Sequence, residues 1–218
     1  MKKAMKLTWL GHACFRVEFD GYAIVLDPYA PGSVPGMELP NGLCANEVLC
    51  SHTHGDHGCV EAVRIAASEQ AGPFTVTPVD TWHDDVQGAK RGPNRIHILE
   101  AGGIRLVHFG DLGCTLDEEQ LSVIGRPDAA LIPVGGFYTI GPKEAAVLAD
   151  TLQARVTVPM HYRTEKFGLE PIGTLEEFLA FTGPTWPATF YESNTLEIGP
   201  DTPRQLAVPA YCPEVARK

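Results

Sequence analysis

The feature of this sequence that most constrains its fold is residues 51–58, Ser-His-Thr-His-Gly-Asp-His-Gly. Four ligand-type side chains, His52, His54, Asp56 and His57, are packed into this short stretch. Imidazole and carboxylate together suit zinc, iron or manganese, whereas magnesium and calcium prefer all-oxygen ligand sets. A surface loop that merely carries histidines is the alternative, but the density of ligand types favours a transition-metal site.

The cysteines indicate that this site is catalytic rather than structural. A structural zinc site is usually closed by four ligands, mostly thiolates in paired Cys-x-x-Cys spacing. The six cysteines of the chain show no such pairing. Lys2, Lys3 and Lys6 precede no apolar run of signal-peptide length, so we expect neither a signal peptide nor a membrane span. Free thiols without an export signal predict a reducing, cytoplasmic location.

Length and charge limit the classes of partner. A chain of 218 residues with 44% hydrophobic and 20% charged residues predicts a single domain over 1–218, of which the Pro-rich tail at 200–218 is uninformative. A formal net charge of −10 disfavours binding to nucleic acid or to an anionic membrane. We therefore expect a small-molecule substrate, and the sequence leaves a homo-oligomer open.

Strand and helix patterns come in two runs. The first run is a β-meander with a hairpin turn at Asp20-Gly21, a Pro- and Gly-rich loop over 28–46, and a short strand leading into the histidine cluster. Apolar residues at helical spacing over 60–66 predict a helix after the cluster. The second run predicts strands at 74–77, 96–99, 104–109, 128–134 and 156–160, closing strands at 190–191 and 196–198, and helices at 118–124, 142–152 and from Thr174, with Thr115 starting the capping box of the first.

These two runs predict the fold class. Each run of strands is finished by helices, as expected for two mixed sheets packed face to face with helices outside. We predict an α/β (α+β) fold, a four-layer αββα sandwich. Within it, His97 and His108 fall inside hairpin strands and are interpreted as packing or cross-strand residues.

Three further ligand candidates follow extended segments. They are His83, Asp111 and His161. If strand ends converge on one edge of the sandwich, these three join the cluster, and seven ligands suffice for two metals that share a bridging carboxylate. Taken singly, each is equally compatible with a structural role, because histidines often follow strands and Gly-Asp-x-Gly is a common turn.

In this order the residues resemble the metallo-β-lactamase-fold hydrolases, whose motif is His-x-His-x-Asp-His followed by a histidine, a Gly-Asp turn and a final strand-end histidine. The resemblance runs over residues 8–195. It implies the expected sandwich fold and two metal sites. Their ligands are His52, His54 and His83 for the first metal, Asp56, His57 and His161 for the second, and Asp111 as the bridge.

Two segments refine the resemblance. Residues 9–13 (Trp-Leu-Gly-His-Ala) and 23–28 (Ala-Ile-Val-Leu-Asp-Pro) look more like the branch that contains ascorbate-phosphate lactonase and the N-acylphosphatidylethanolamine phospholipases than like the antibiotic-cleaving branch. His83 is followed by Asp84-Asp85 instead of the Pro-Gly-His turn of the glyoxalase-like branch. This departure disfavours hydroxyacylglutathione chemistry.

The site predicts a metal-dependent hydrolase. Two divalent transition metals, zinc first and manganese, nickel or iron as alternatives, would lower the pKa of a water toward ~7 and polarise the attacked group. The resulting hydroxide would cleave a small anionic ester, lactone or phosphodiester. Asp56 is the predicted catalytic residue, because a carboxylate can bond metal through one oxygen and orient water through the other.

Five other residues are candidates for supporting the ligands or binding the substrate. Asp27 either fixes a ligand imidazole or starts an Asp-Pro turn, and His12 is a supporting residue, a proton donor to the leaving group or a turn histidine. Arg91, Asn94 and Arg163 lie beside ligand loops and either contact a substrate anion or belong to solvated loops.

Three other functions compete with the hydrolase. A di-iron redox protein on the same fold would commonly carry Glu at the position of His54, so His54 argues against it. A nuclease of the superfamily would need a nucleic-acid-binding addition that this acidic chain lacks. A metal-binding domain without catalysis is the third alternative.

Overall fold

The computed structural model of the chain describes residues 3–67, 71–183 and 186–212. Within them, the strands before the first α-helix are β1 (Met5–Gly11), β2 (Cys14–Phe19), β3 (Tyr22–Leu26), β4 (Cys44–Ala45), β5 (Glu47–Leu49), β6 (Arg64–Ile65), β7 (Thr75–Trp82), β8 (Pro93–Ala101) and β9 (Ile104–His108). The later strands are β10 (Ala129–Pro133), β11 (Val156–Met160), β12 (Ala188–Phe190), β13 (Thr195–Ile198) and β14 (Gln205–Val208). The α-helices are α1 (Glu118–Ile124), α2 (Pro142–Leu152) and α3 (Leu175–Thr182).

The first sheet contains the predicted meander. Its order is β13-β1-β2-β3-β5, antiparallel except for the parallel pair β3 and β5. Phe19 pairs with Tyr22 across the hairpin, and the two turn residues, Asp20 and Gly21, both have positive φ. This is the backbone geometry that matches a two-residue turn to the twist of the strands.

The second sheet has the order β12-β14-β11-β10-β9-β8-β7. Five of its strands, β9, β10, β11, β14 and β12, are parallel to their neighbours in this order. The strands β7, β8 and β9 form an antiparallel meander. All residues of β10 and β11 are buried, as expected for parallel strands covered on both faces. The helix α2 packs on β10, and α3 packs on α2. The predicted sandwich of two mixed sheets with helices outside is confirmed.

The two sheets share a continuous core of buried apolar side chains, to which Trp9, Phe15 and Ile24 contribute from the first sheet and Ile98 and Leu106 from the second. No helix of the described residues is long and apolar enough to cross a membrane.

Two histidines connect the sheets. His97 and His108 lie opposite each other on β8 and β9, as the sequence predicted. The Nε2 atom of His97 lies 3.1 Å from the carbonyl oxygen of Cys50, and that of His108 lies 2.8 Å from the carbonyl oxygen of Ala13. Both carbonyls belong to segments of the first sheet. A hydrogen bond in each place therefore satisfies a buried carbonyl between the two layers.

The helix predicted after the histidine cluster is wrong. Residues 60–62 form one 3-10 turn, Val63 is extended, and the chain continues into β6, which pairs with β4. Val60 and Ile65 are 52% and 57% exposed, so their helical spacing does not mark a core face. Isoleucine and valine also favour extended backbone because they are branched at Cβ.

Three further details differ from the prediction. The helix α1 begins as predicted, but Asp117 caps it in a capping box with Gln120, where Thr115 was expected. The predicted strand at 74–77 continues to Trp82, so His83 directly follows it. The tail contributes β14, which lies between β12 and β11, while residues 213–218 lie outside the described part of the chain.

The topology gathers the strand ends that carry the candidate ligands. The strands β7, β9 and β11 point the same way, since β8 is antiparallel to both β7 and β9, and β9, β10 and β11 are parallel. In the first sheet β1, β3 and β5 likewise point the same way. Parallel strands end at the same edge of a sheet, and loops at such edges are where sites are usually built.

Candidate metal centre

The structure brings all seven predicted ligands together and adds His12 to them. Three groups have ligand atoms that all lie within 4.8 Å of one another. The first group is His52, His54 and His83, the second is His12, Asp56, His57 and His161, and the third is His52, His57 and Asp111. Each group has the donor composition of a transition-metal site.

Asp111 lies between the first two groups. Its Oδ2 atom is 3.2 Å from Nε2 of His57, 3.2 Å from Nε2 of His83 and 3.3 Å from Nε2 of His161. Burial alone would raise the pKa of this carboxyl, but the charges of His161 and His57 hold the pKa well below its usual range. Asp111 is therefore an ionised carboxylate that faces histidines of both groups.

Unpartnered polar atoms point to a cation between these groups. The Nε2 atoms of His52, His57 and His161, both ring nitrogens of His12, and Oδ1 of Asp111 are buried without a hydrogen-bond partner. A buried polar group without a partner is costly, and native structures leave few of them. Imidazole nitrogens and carboxylate oxygens that converge in this way fit divalent transition metals.

Asp27 supports two of the histidines from beneath. This fully buried carboxylate accepts hydrogen bonds from the amide and hydroxyl of Ser51, both at 2.6 Å, and contacts Nδ1 of His57 at 2.8 Å. The hydroxyl of Ser51 also lies 2.9 Å from Nδ1 of His52. With the hydroxyl hydrogen donated to Asp27, Ser51 accepts from His52. Both Nδ1 atoms then carry hydrogen, and both Nε2 atoms face the site.

These contacts determine the pKa values of His57, His52 and Asp27. Burial alone would lower the pKa of His57, but Asp111 and Asp27 raise the pKa well above its usual value. Burial and the neighbouring His57 lower the pKa of His52 to about 3. Burial opposes ionisation of Asp27, yet His108 and His57 lower the pKa of its carboxyl to about 2. A metal that binds Nε2 of His57 therefore displaces a proton, and binding should weaken as the pH falls.

Replacing Asp27 with asparagine should weaken metal binding by about tenfold to a hundredfold, because supporting carboxylates orient ligand imidazoles and raise their basicity. Competition with a chromophoric chelator measures the affinity. The control is Asp80→Asn, which removes an exposed carboxylate that pairs with Arg95. Equal affinities in the Asp27→Asn variant and the control would rule out this supporting role.

Asp84 organises the loop after His83. Its buried carboxylate accepts backbone N–H bonds from Val86, Gly88, Lys90 and Arg91, at 2.7 to 2.9 Å. Burial opposes ionisation, but these donors lower the pKa of Asp84 to about 2. In the sequence, Asp84 was noted only because Asp84-Asp85 stands where the glyoxalase-like branch has a Pro-Gly-His turn. In the structure, the carboxylate of Asp84 closes the loop by accepting these four hydrogen bonds.

We expect Asp84→Ala to loosen this loop, with amide hydrogen exchange over 86–91 at least about tenfold faster. Because the pKa of Asp84 is lowered by folding, its stabilisation is present above about pH 4 and is lost as the pH falls toward 2. The neighbouring Asp85→Ala is the control, since the side chain of Asp85 is exposed and forms an ion pair with Lys90. Similar exchange in both variants would contradict the assignment.

The remaining predicted residues have definite places. Asn94 is buried, accepts a hydrogen bond from the amide of Asp111 at 2.9 Å and donates to the carbonyl of Phe109 at 3.0 Å, so it holds the Asp111 turn. The guanidinium of Arg91 lies 5.4 Å from the ring centroid of Tyr138. Arg163 donates from Nε to the carbonyl of Ile172 at 2.6 Å.

Ser51 is a supporting residue that the sequence reasoning missed. Its only signal was its position beside His52 in the cluster. A serine in a histidine-rich loop is ordinarily a turn residue, and its contact with Asp27 depends on the pairing of β3 with β5.

Comparison with known proteins identifies the family of the chain. Residues 6–161 match the family model described as the beta-lactamase superfamily domain. The chain belongs to this superfamily. The matched range contains every residue of the three groups described above, including Asp111 and His161.

Within the superfamily the chain belongs to the UPF0173 metal-dependent hydrolases. The family member from Thermococcus onnurineus is 32% identical over 193 residues, covering 73% of this chain and 85% of the relative. The member from Methanopyrus kandleri is 29% identical over 195 residues with the same coverage. A solved structure from Thermotoga maritima, proposed as a zinc-dependent hydrolase of the metallo-beta-lactamase superfamily, is 36% identical. It covers 94% of this chain and 97% of that chain, with a TM-score of 0.70.

Proposed function

We propose that the chain is a two-metal hydrolase that acts on a small anionic ester, lactone or phosphodiester in the cytoplasm. The observation that carries the proposal is the position of Asp111 between two groups of converging imidazoles. Family membership supports hydrolysis. The segments at 9–13 and 23–28, which resemble the ascorbate-phosphate lactonase and phospholipase branch, favour a lactone or a phosphodiester among these substrates.

The proposed ligands are His52, His54 and His83 for one metal and Asp56, His57 and His161 for the other, with Asp111 shared between them. Bound transition metals supply Lewis acidity and a lowered pKa for water, with zinc expected first and manganese, nickel or iron as alternatives. His54 is exposed and the side chain of Asp56 is 20% exposed, whereas His57, His83 and His161 are buried. The substrate and the attacking water therefore approach from the side of His54 and Asp56.

Asp56 is the proposed proton acceptor. Its Oδ2 atom lies 3.5 Å from Nε2 of His12 and 3.7 Å from Nε2 of His57. Burial alone would raise the pKa of this carboxyl, but His12 and His57 hold the pKa below its usual range. Asp56 is ionised at neutral pH and partly open to solvent, so it can orient a water and accept its proton.

Positive side chains in the segments that follow His83 and His161 support an anionic substrate. Arg163 and Lys166, together with Glu165 and Glu176, line a cavity of about 810 Å³. Arg91 belongs to the loop that follows His83, and its guanidinium lies over the ring of Tyr138. In a chain of net charge −10 these local cations suit a single phosphate or carboxylate better than a nucleic-acid backbone.

The test is to purify the chain without added metal, reconstitute it, and measure metal content and hydrolysis of lactones and bis-p-nitrophenyl phosphate. We expect two zinc, manganese or nickel ions per chain and hydrolysis of at least one substrate class, with both reduced in His52→Ala. His97→Ala is the control, because His97 is buried outside the cluster. No bound metal after reconstitution would overturn the proposal, and two irons with redox activity but no hydrolysis would replace it.

A further inference from the structure

The segment that follows β10 crosses the edge of the second sheet between two ligands of the centre. Asp111 follows β9 and His161 follows β11, and β10 lies between these parallel strands. The amide of Ile140 donates to the carbonyl of Leu112, the neighbour of Asp111, at 2.7 Å. At the other end of the segment, a Cβ on Gly135 would lie 2.3 Å from the carbonyl oxygen of His161. Both ends of the segment are therefore fixed beside the centre.

The middle of this segment presents a phenylalanine to solvent on an unfavourable backbone. Phe137 is 63% exposed, and its φ of 60° is uncommon for a residue other than glycine. An exposed side chain buries little apolar surface, so packing does not offset the cost of this conformation. Strained conformations of this kind cluster at active sites and ligand-binding segments. A single exposed phenylalanine needs no explanation, but one with positive φ beside a metal centre points to a role in binding.

Two further side chains continue from Phe137 toward the ligand His83. Tyr138 is half-buried, and its ring meets that of Phe137 at 84° with the centroids 4.8 Å apart. The guanidinium of Arg91 lies 5.4 Å from the centroid of the Tyr138 ring. Arg91 belongs to the loop after His83 and donates its amide to Asp84 at 2.7 Å. We call Arg91, Tyr138 and Phe137 the aromatic rim of the centre.

The guanidinium of Arg91 forms no ion pair with any residue that the structure describes. Its basic neighbours in the chain do so, since Lys90 pairs with Asp85 and Arg95 pairs with Asp80. The ring of Tyr138 attracts a cation but carries no negative charge, so the charge of Arg91 stays open to an anion. The aromatic rim thus combines an uncompensated cation at one end with an exposed apolar ring at the other.

We propose that Phe137 is a specificity-determining residue that binds an apolar group of the substrate, while Arg91 faces an anionic group next to it. The inference rests on the two-metal hydrolase of the proposed function. It narrows the substrate class to esters, lactones or phosphodiesters in which an apolar group about the size of a phenyl ring adjoins the anion. Anions that carry only hydroxyl groups would leave Phe137 without a partner.

Binding of two phosphonates to the metal-loaded full chain tests the inference without requiring hydrolysis. Phenylphosphonate and methylphosphonate share the anionic group and differ in the apolar group. By isothermal titration calorimetry we expect phenylphosphonate to bind the unaltered chain at least about tenfold more tightly. In Phe137→Asn this advantage should fall below about threefold while the affinity for methylphosphonate is unchanged, because asparagine lacks the ring and tolerates positive φ.

Thermal unfolding separates this role from a structural one. Phe137→Asn should unfold at a Tm no lower than that of the unaltered chain, because little apolar surface is lost and asparagine adopts positive φ more readily. A structural role would instead lower Tm and weaken both phosphonates equally. The control is Phe181→Asn, which removes a phenylalanine that is 52% exposed in α3 and should keep the full preference for phenylphosphonate.

The outcomes distinguish this inference from the proposed function. Equal affinities for the two phosphonates, or binding of neither, in an unaltered chain that holds two metals would overturn the role of Phe137 and leave the two-metal hydrolase standing. A chain that binds no metal after reconstitution would overturn both. A crystal structure of the unaltered chain with phenylphosphonate decides the point even if the variant does not fold. A phenyl ring within about 4.5 Å of Phe137 supports the inference, and any greater distance contradicts it.

Discussion

Asp111→Asn is expected to abolish binding of at least one metal and to lower kcat/KM by about a thousandfold or more, which corresponds to about 4 kcal/mol of transition-state stabilisation. Its carboxylate faces Nε2 of His57, His83 and His161 at 3.2 to 3.3 Å, so one carboxylate contacts histidines of both groups. An amide has the same shape but no charge, and it would leave the cations without their shared anion.

Metal content by elemental analysis and hydrolysis of the substrate found for the unaltered chain measure this effect. Asp128→Asn is a matched control, since Asp128 is a carboxylate in the same sheet region that pairs with Arg155 at 3.0 Å, away from the centre. We expect the control to keep both metals. Two metals and full activity in the Asp111→Asn variant would contradict the shared-ligand role.

Much of the candidate site could be predicted from the sequence, because its residues lie at strand ends. The cluster of residues 52–57 is local, so its spacing alone indicates a metal. His83, Asp111 and His161 are far apart in the chain, but each follows a strand, His83 and His161 directly and Asp111 after two intervening residues. Once strands are assigned to mixed sheets, parallel alignment of β7, β9 and β11 is enough to bring these three together.

The residues beneath the ligands could not be predicted in the same way. From the sequence, Asp27 could equally support a ligand imidazole or start an Asp-Pro turn. Its contacts with Ser51 and His57 depend on the pairing of β3 with β5. The four bonds to Asp84 depend on the path of a loop that no periodicity describes. Side-chain hydrogen bonds of this kind depend on tertiary packing, which the sequence pattern does not encode locally.

The fold shows the same division. The hairpins and the helices α1 and α3 were predicted because turn and cap residues act locally, although Asp117 caps α1 where Thr115 was expected. The strand β14 was missed because its four residues are stabilised by parallel pairing with β11 and β12, which are distant in sequence or joined by long connections. The apolar spacing over 60–66 indicated a helix, but pairing of β6 with β4 overrode it.

The second large effect is expected for Asp56→Asn, which should lower kcat by about a hundredfold or more while the metal content is retained. An amide oxygen can still face the second group, and His57 and His161 remain, but an amide cannot accept a proton from water. Activity should fall because His12 and His57 keep Asp56 ionised and able to accept a proton, whereas the asparagine side chain carries no charge.

Steady-state kinetics and metal analysis on the same preparation separate the two roles of Asp56. A loss of proton transfer lowers kcat and kcat/KM together, whereas a loss of substrate binding alone raises KM. Glu61→Gln is the matched control, an exposed carboxylate in the same loop region that lies outside the three ligand groups. Full activity in the Asp56→Asn variant would mean that another group accepts the proton. Lost metal together with lost activity would instead make Asp56 chiefly a ligand, and only the retained-metal result assigns it the proton.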